Sequence, residues 1–238
     1  MTHRTTARAL TAALLLGGVL RGCGDQSPGE STETTTTAGA PVTSTPEDDT
    51  VQTSAPLQVQ ITAQTVAGPL GGPYPANIEG LVVQYTVTNE GDEPVLVAQE
   101  RGHDQNADSV APATDESAWV GAGSAPGVAR VSKQVFDAPG GIELAAPWRA
   151  PALLVDPGSS VDGTMLVPLP LRPDLPRSSA SILVDDEPLA GDESSVEVCV
   201  QVAPDPRAAH PEAFTDEITH ATPGRQLVCT APEPLPGR

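Results

Sequence analysis

From Leu81 to Asn89 the chain alternates, with Leu81, Val83, Tyr85 and Val87 on one side and Gln84, Thr86 and Thr88 on the other. A period of two is the mark of a strand with one buried face. Leu57, Val59 and Ile61 alternate with Gln58 and Gln60 in the same way. Further strands are predicted at Val95–Val97, Val128–Phe136, Ala152–Val155, Val161–Leu169, Ile182–Val184, Val196–Val202 and Gln226–Thr230. Turn residues separate them, notably the run 89–94 (NEGDEP) and Asp156-Pro157-Gly158. Prolines recur every few residues, and no long window repeats apolar residues at helical spacing. The expected fold class is all-β, an antiparallel sandwich, with a β-barrel as the alternative.

This folded part is expected at residues 56–238, about 180 residues, a size that suits one domain. Residues 23–55 contain a Thr34-Thr35-Thr36-Thr37 run with scattered Ser, Gly, Pro and acids. Their sparse apolar content predicts a disordered linker, and Thr/Pro-rich stalks of this kind are often O-glycosylated. Residues 1–22 differ again. Arg4 and Arg8 precede an apolar stretch from Ala9 to Leu20, too short for a spanning helix and suited to a signal peptide.

The segment Leu20-Arg21-Gly22-Cys23 resembles the lipobox of bacterial lipoproteins: Leu20, Gly22 and Cys23 occupy the matching positions, and Arg21 stands where a small residue is usual. The resemblance implies cleavage before Cys23, a diacylglyceryl (palmitate-type) anchor on its sulfur, and a location on the extracytoplasmic face of the cell membrane. An ordinary secreted protein with a stray Cys23 thiol is the other reading. The run Tyr85–Asp92 is similar to the strand-and-turn start of immunoglobulin-like domains in bacterial surface proteins, which implies an immunoglobulin-like sandwich.

Charge removes one function class. Three of the 12 basic residues (Arg4, Arg8, Arg21) leave with residues 1–22, so nine face 31 acids and the mature chain carries −22. Nucleic acid repels such a chain, so it is not an expected partner. The single lysine, Lys133, with abundant Ala, Gly, Pro, Val and Arg, suggests a GC-rich, actinobacterial source.

Once Cys23 is set aside, Cys199 and Cys229 remain, and an even pair in an exported chain predicts a disulfide. In Val196–Val202 the four valines share a face, so Cys199 is expected to point outward with Glu197 and Gln201. The bridge then staples two strands on the outer side of a sheet.

Candidate chemistry is sparse. Asp104, Asn106 and Asp108 have the D-x-N-x-D spacing that gathers oxygens around calcium, with Asp115 at the twelfth position. Ser109 replaces the turn glycine and no helix flanks the loop, so a solvated acidic loop is the competing reading. Asp185-Asp186-Glu187 with Asp192-Glu193 reads as an exposed acidic hairpin connection or a metal site. His103, His210 and His220 lack a G-x-S-x-G partner, and Gly121-Ala122-Gly123-Ser124 lacks a helix to cradle phosphate. No catalytic residue and no cofactor is therefore assigned. With two Trp, two Tyr and two Phe, a sugar-binding platform is not favoured, and Trp119 is either a contact residue or a plug at one end of the sandwich.

These observations lead to a membrane-anchored, non-enzymatic lipoprotein that displays a sandwich for protein or envelope binding. A calcium-dependent binding module and an envelope hydrolase with an unrecognised site are the alternatives.

Overall fold

A computed structural model describes residues 56–72, 74–75, 77–102, 114–137, 147–178, 181–182, 189–213 and 216–237. In chain order the strands are β1 (Val59–Pro69), β2 (Glu79–Asn89), β3 (Val95–Ala98), β4 (Trp119–Ala122), β5 (Val128–Lys133), β6 (Arg149–Val155) and β7 (Ser160–Pro168). There follow β8 (Arg177–Ser178), β9 (Ser181–Ile182), β10 (Ser195–Pro204), β11 (Glu217–Thr219), β12 (Gln226–Cys229) and β13 (Glu233–Pro234). The one helical element among the described residues is a 3₁₀ turn, Pro206–Ala208. The domain is all-β.

One sheet has the order β1-β2-β7; the other runs β11-β6-β3-β10-β5-β4, with β12 and β13 along β10. The two pack as a sandwich and do not close into a barrel. Between them lies the core predicted from alternation: Leu81, Val83, Tyr85 and Val87 of β2 meet Val196, Val198, Val200 and Val202 of β10 within one buried cluster.

Two short connections carry the chain between the sheets, β2 to β3 and β6 to β7. The second is the turn at Asp156-Pro157-Gly158, closed by Ser159 N donating to Asp156 O at 3.0 Å. Gly158 has φ +71°, the left-handed conformation that this turn requires of its third residue. Asn89 ties the two connections together. Its backbone N donates to Ser159 O (3.0 Å) and its O accepts from Gly158 N (2.8 Å). Its side-chain Nδ2 donates to Glu93 O (2.8 Å) and Val155 O (3.0 Å).

The structure departs from the sequence expectations in two places. The sandwich is not wholly antiparallel, because β5 and β10 run parallel from Ser195↔Val128 to Val200↔Lys133. Parallel neighbours need a long connection, and here it passes through β6 and β7 before returning as β10. Nor does the second face of β10 meet solvent: Glu197, Cys199 and Gln201 are all buried. Val200 pairs with Lys133 on one side and Val228 on the other, so β10 is an interior strand. Arg130 and Ser124 cover Glu197, and the Gln201 amide bonds Val135 N (2.8 Å) and O (3.3 Å).

Candidate functional site

Cys199 and Cys229 are directly opposed on β10 and β12 and form a disulfide with Cα atoms 4.1 Å apart. The cross-strand staple is present, with Cys199 buried and Cys229 exposed. Glu197 approaches both sulfurs closely enough to suggest a metal trio. The chemistry argues otherwise, since the sulfurs are bonded to each other and Glu197 accepts from Ser124 Oγ (2.6 Å) and Arg130 Nε (3.0 Å).

Cys23, the linker, His103, Asp104, Asn106, Asp108 and Asp185-Asp186-Glu187 lie outside the described residues. Asp115 is described, and its carbonyl accepts from Lys133 Nζ at 2.7 Å. A cation of the chain's own therefore sits beside Asp115, and its carboxylate acts on Lys133. His220 is structural: its Nδ1 accepts from Trp148 N at 3.2 Å. His210 is exposed beside the 3₁₀ turn, so the two described histidines do not share a site.

Trp119 is a buried residue on the same face of its sheet as Ser132 and Cys199, and not an exposed contact residue. It is fully buried, with Nε1 donating to Gln134 O (3.0 Å) and Phe136 edge-on at 5.8 Å. Arg101 lies over its ring at 4.7 Å and pairs with Asp174 at 3.0 Å, both acid and base being buried. Asp174 also fastens its own segment to β4, since Val120 N donates to Asp174 O (2.9 Å) and Asp174 N to Val120 O (2.8 Å).

Fastened in this way, residues 169–174 fold back over β4 beside the end of β7 and leave a cavity of about 220 Å³ between them. Its walls are Ile78, Ala118, Val120, Leu166, Leu169 and Pro170, with Asp174 and Arg172 as the charged members. The Asp174 charge is answered by Arg101. Arg172 is exposed and pairs with no acid among the described residues. An apolar slot with an exposed cation at its rim has the composition of a binding site, at a size that suits one side chain. It was not legible from the sequence, because Ile78, Val120 and Leu169 come from three separate elements.

Lys133, read from the sequence only as a marker of composition, is the other unusual group. It projects into the core with Val131, donates to Gln99 O and Asp115 O (2.7 Å each) and lies over the Tyr85 ring at 5.2 Å. Burial pulls its pKa down to about 8 against the opposing pull of Asp115, Glu100 and Glu116. Its parity with Val131 in β5 is the signal that would have placed it inside. Both of its carbonyl partners are main-chain, so Lys133 closes gaps between β5 and the segments around Gln99 and Asp115.

No protein-family model, curated protein or solved structure matches the chain.

Proposed function

We propose that this chain is a lipid-anchored, extracytoplasmic binding module that carries an immunoglobulin-like sandwich at the end of the Thr/Ser/Pro-rich linker, residues 23–55. On this reading the slot walled by Ile78, Val120 and Leu169 takes an apolar side chain of a protein partner. The observation that carries the binding role is that slot: a concave apolar surface, built by a segment pinned to β4, with the exposed Arg172 cation beside it in a strongly acidic chain. The Cys199–Cys229 disulfide supports the compartment, because such bridges persist in oxidising surroundings. Anchoring itself rests on the signal and Cys23, where the acyl chains would each contribute about 0.8 kcal/mol per buried methylene.

Photocrosslinking in the native cell tests the binding role. A photoreactive residue at Leu169, on the slot wall, is expected to capture one discrete partner. The same residue at the exposed Glu212 is expected to capture none, and filling the slot with Ala118→Leu should abolish capture in a protein that still folds. Equal capture from both positions, or capture unaffected by a folded Ala118→Leu protein, would refute the slot as the site.

A further inference from the structure

We infer that β1 is an open strand edge that pairs with β1 of a second copy of this chain, joining two three-stranded sheets into one of six strands. No residue of β1 lines the slot, so the two sites are independent. The hydrogen-bond parity of β1 leaves one of its sides open. Glu90 N donates to Gln58 O and Leu70 N to Ile78 O, both at 2.8 Å, so the even-numbered positions at the two ends of β1 face β2. The register between β1 and β2 is unbroken from Val59↔Asn89 to Pro69↔Glu79. Antiparallel ladders alternate strictly, so Ile61, Ala63, Thr65 and Ala67 direct their N–H and C=O groups away from β2. No backbone bond to these four on that side is present among the described residues.

The other sheet edges are bonded in part, charged or short, and β7 carries Asp162 on the part of its edge that no bond to Glu116 covers. Leu166 N of β7 donates to Glu116 O at 2.8 Å, and β4 is bonded to Asp174 on its outer side. β11 has three residues, β12 four and β13 two. β1 has 11, with no bulge, no charge and no proline before its last residue. Natural edges are normally protected by one of those devices, and a long edge without them is a template for strand addition.

Charge and sequence select the occupant. With a net charge of −19, two copies approach favourably only where charge is missing, and VQITAQTVAGP supplies that. The strand is also its own complement. An antiparallel pair centred on Gln64 sets Ile61 against Ala67 of the second copy and Ala63 against Thr65. On the outward side it sets Thr62 against Val66, and Gln64 against Gln64. Each bulky or branched residue meets a partner it can pack beside, and no like charges oppose.

The test uses the full chain in a Cys23→Ser background, so that the only free thiol is the one introduced. Sedimentation across a range of concentrations is expected to show a monomer–dimer equilibrium. Gln64→Cys should give a disulfide-linked dimer on mild oxidation, since Gln64 meets itself at a non-hydrogen-bonded position with Cα atoms about 4.5 Å apart. Gln84→Cys, exposed on β2, should not. Thr65→Pro removes only an outward N–H, so it should fold and weaken the dimer about tenfold or more. Ala67→Pro serves the same purpose if the first variant does not fold. Gln64→Glu should weaken the dimer at neutral pH and not below the carboxylate range, because it sets two carboxylates face to face. A monomer at every concentration overturns the inference, whether the edge is then empty or taken by another protein. So does a dimer in which the Gln64→Cys variant does not cross-link, or one left unchanged by a folded proline variant.

Discussion

The side chain of Asn89 donates to the carbonyl of Val155 at 3.0 Å, across the gap between the two sheets. The same amide donates to Glu93 O and, through Oδ1, accepts from Gly91 N at 3.0 Å. One buried side chain thus satisfies main-chain groups of both connections at this end of the sandwich. Asn89→Ala removes the side-chain donor to both carbonyls, and Glu93 O then lacks its buried partner, at a cost of about 1–3 kcal/mol. Chemical denaturation should show a loss of at least that size. Asn89→Asp should not rescue it, because a carboxylate has no hydrogen to donate.

Tyr85 and Gly163 are cross-strand neighbours on β2 and β7, and a Cβ on Gly163 would overlap the tyrosine ring. Gly163→Ala should therefore be destabilising beside Tyr85 and much less so beside Tyr85→Leu. A double-mutant cycle is expected to give a coupling of about 1 kcal/mol or more. The Tyr85 hydroxyl is buried without a hydrogen-bond partner among the described residues, so Tyr85→Phe should be neutral or stabilising.

Lys133 and Tyr85 make stability depend on alkaline pH in opposite directions. The folded chain releases the Lys133 proton near pH 8, whereas the unfolded chain holds it to 10.5. Unfolding takes up a proton in that window, so this group's contribution rises with pH between those values. The rise should be on the order of 2 kcal/mol by pH 10. Burial raises the Tyr85 pKa above its ordinary 10.0, so the unfolded chain ionises first and stability falls beyond that pH. Denaturation at stepped pH should show a maximum between the two, and Lys133→Met should remove the rising limb.

The disulfide spans 30 positions of sequence. In the chain-entropy account a loop of that length contributes about 3–4 kcal/mol. The Cys199→Ala, Cys229→Ala double variant should lose close to that amount of unfolding free energy in chemical denaturation. A loss below about 1 kcal/mol, on the order of a single hydrogen bond, would mean that the β10–β12 pairing needs no covalent closure.

Alternation was legible wherever a strand has one wet face, and β2 is read correctly from Leu81 to Asn89. The same reasoning fails on β10, where Glu197, Cys199 and Gln201 look solvent-facing. Their burial depends on Arg130, Ser124, Val135 and Cys229, which arrive from distant parts of the chain. The far half of β1, Thr62–Pro69, carries no hydrophobic alternation and is held by its pairing to β2. β4 is short, and its Gly121 hides it among turns. The slot was invisible for a related reason: it exists only once Asp174 is fastened to Val120.

The proposed protein is a disulfide-closed domain held outside the cell by a lipid on Cys23. Intact mass of the protein extracted from native membranes and alkylated without reductant tests it most directly. The expected species begins at Cys23, carries a diacylglyceryl group there, and has neither Cys199 nor Cys229 alkylated. A chain beginning elsewhere with an unmodified Cys23, or with both later cysteines alkylated, would contradict the account.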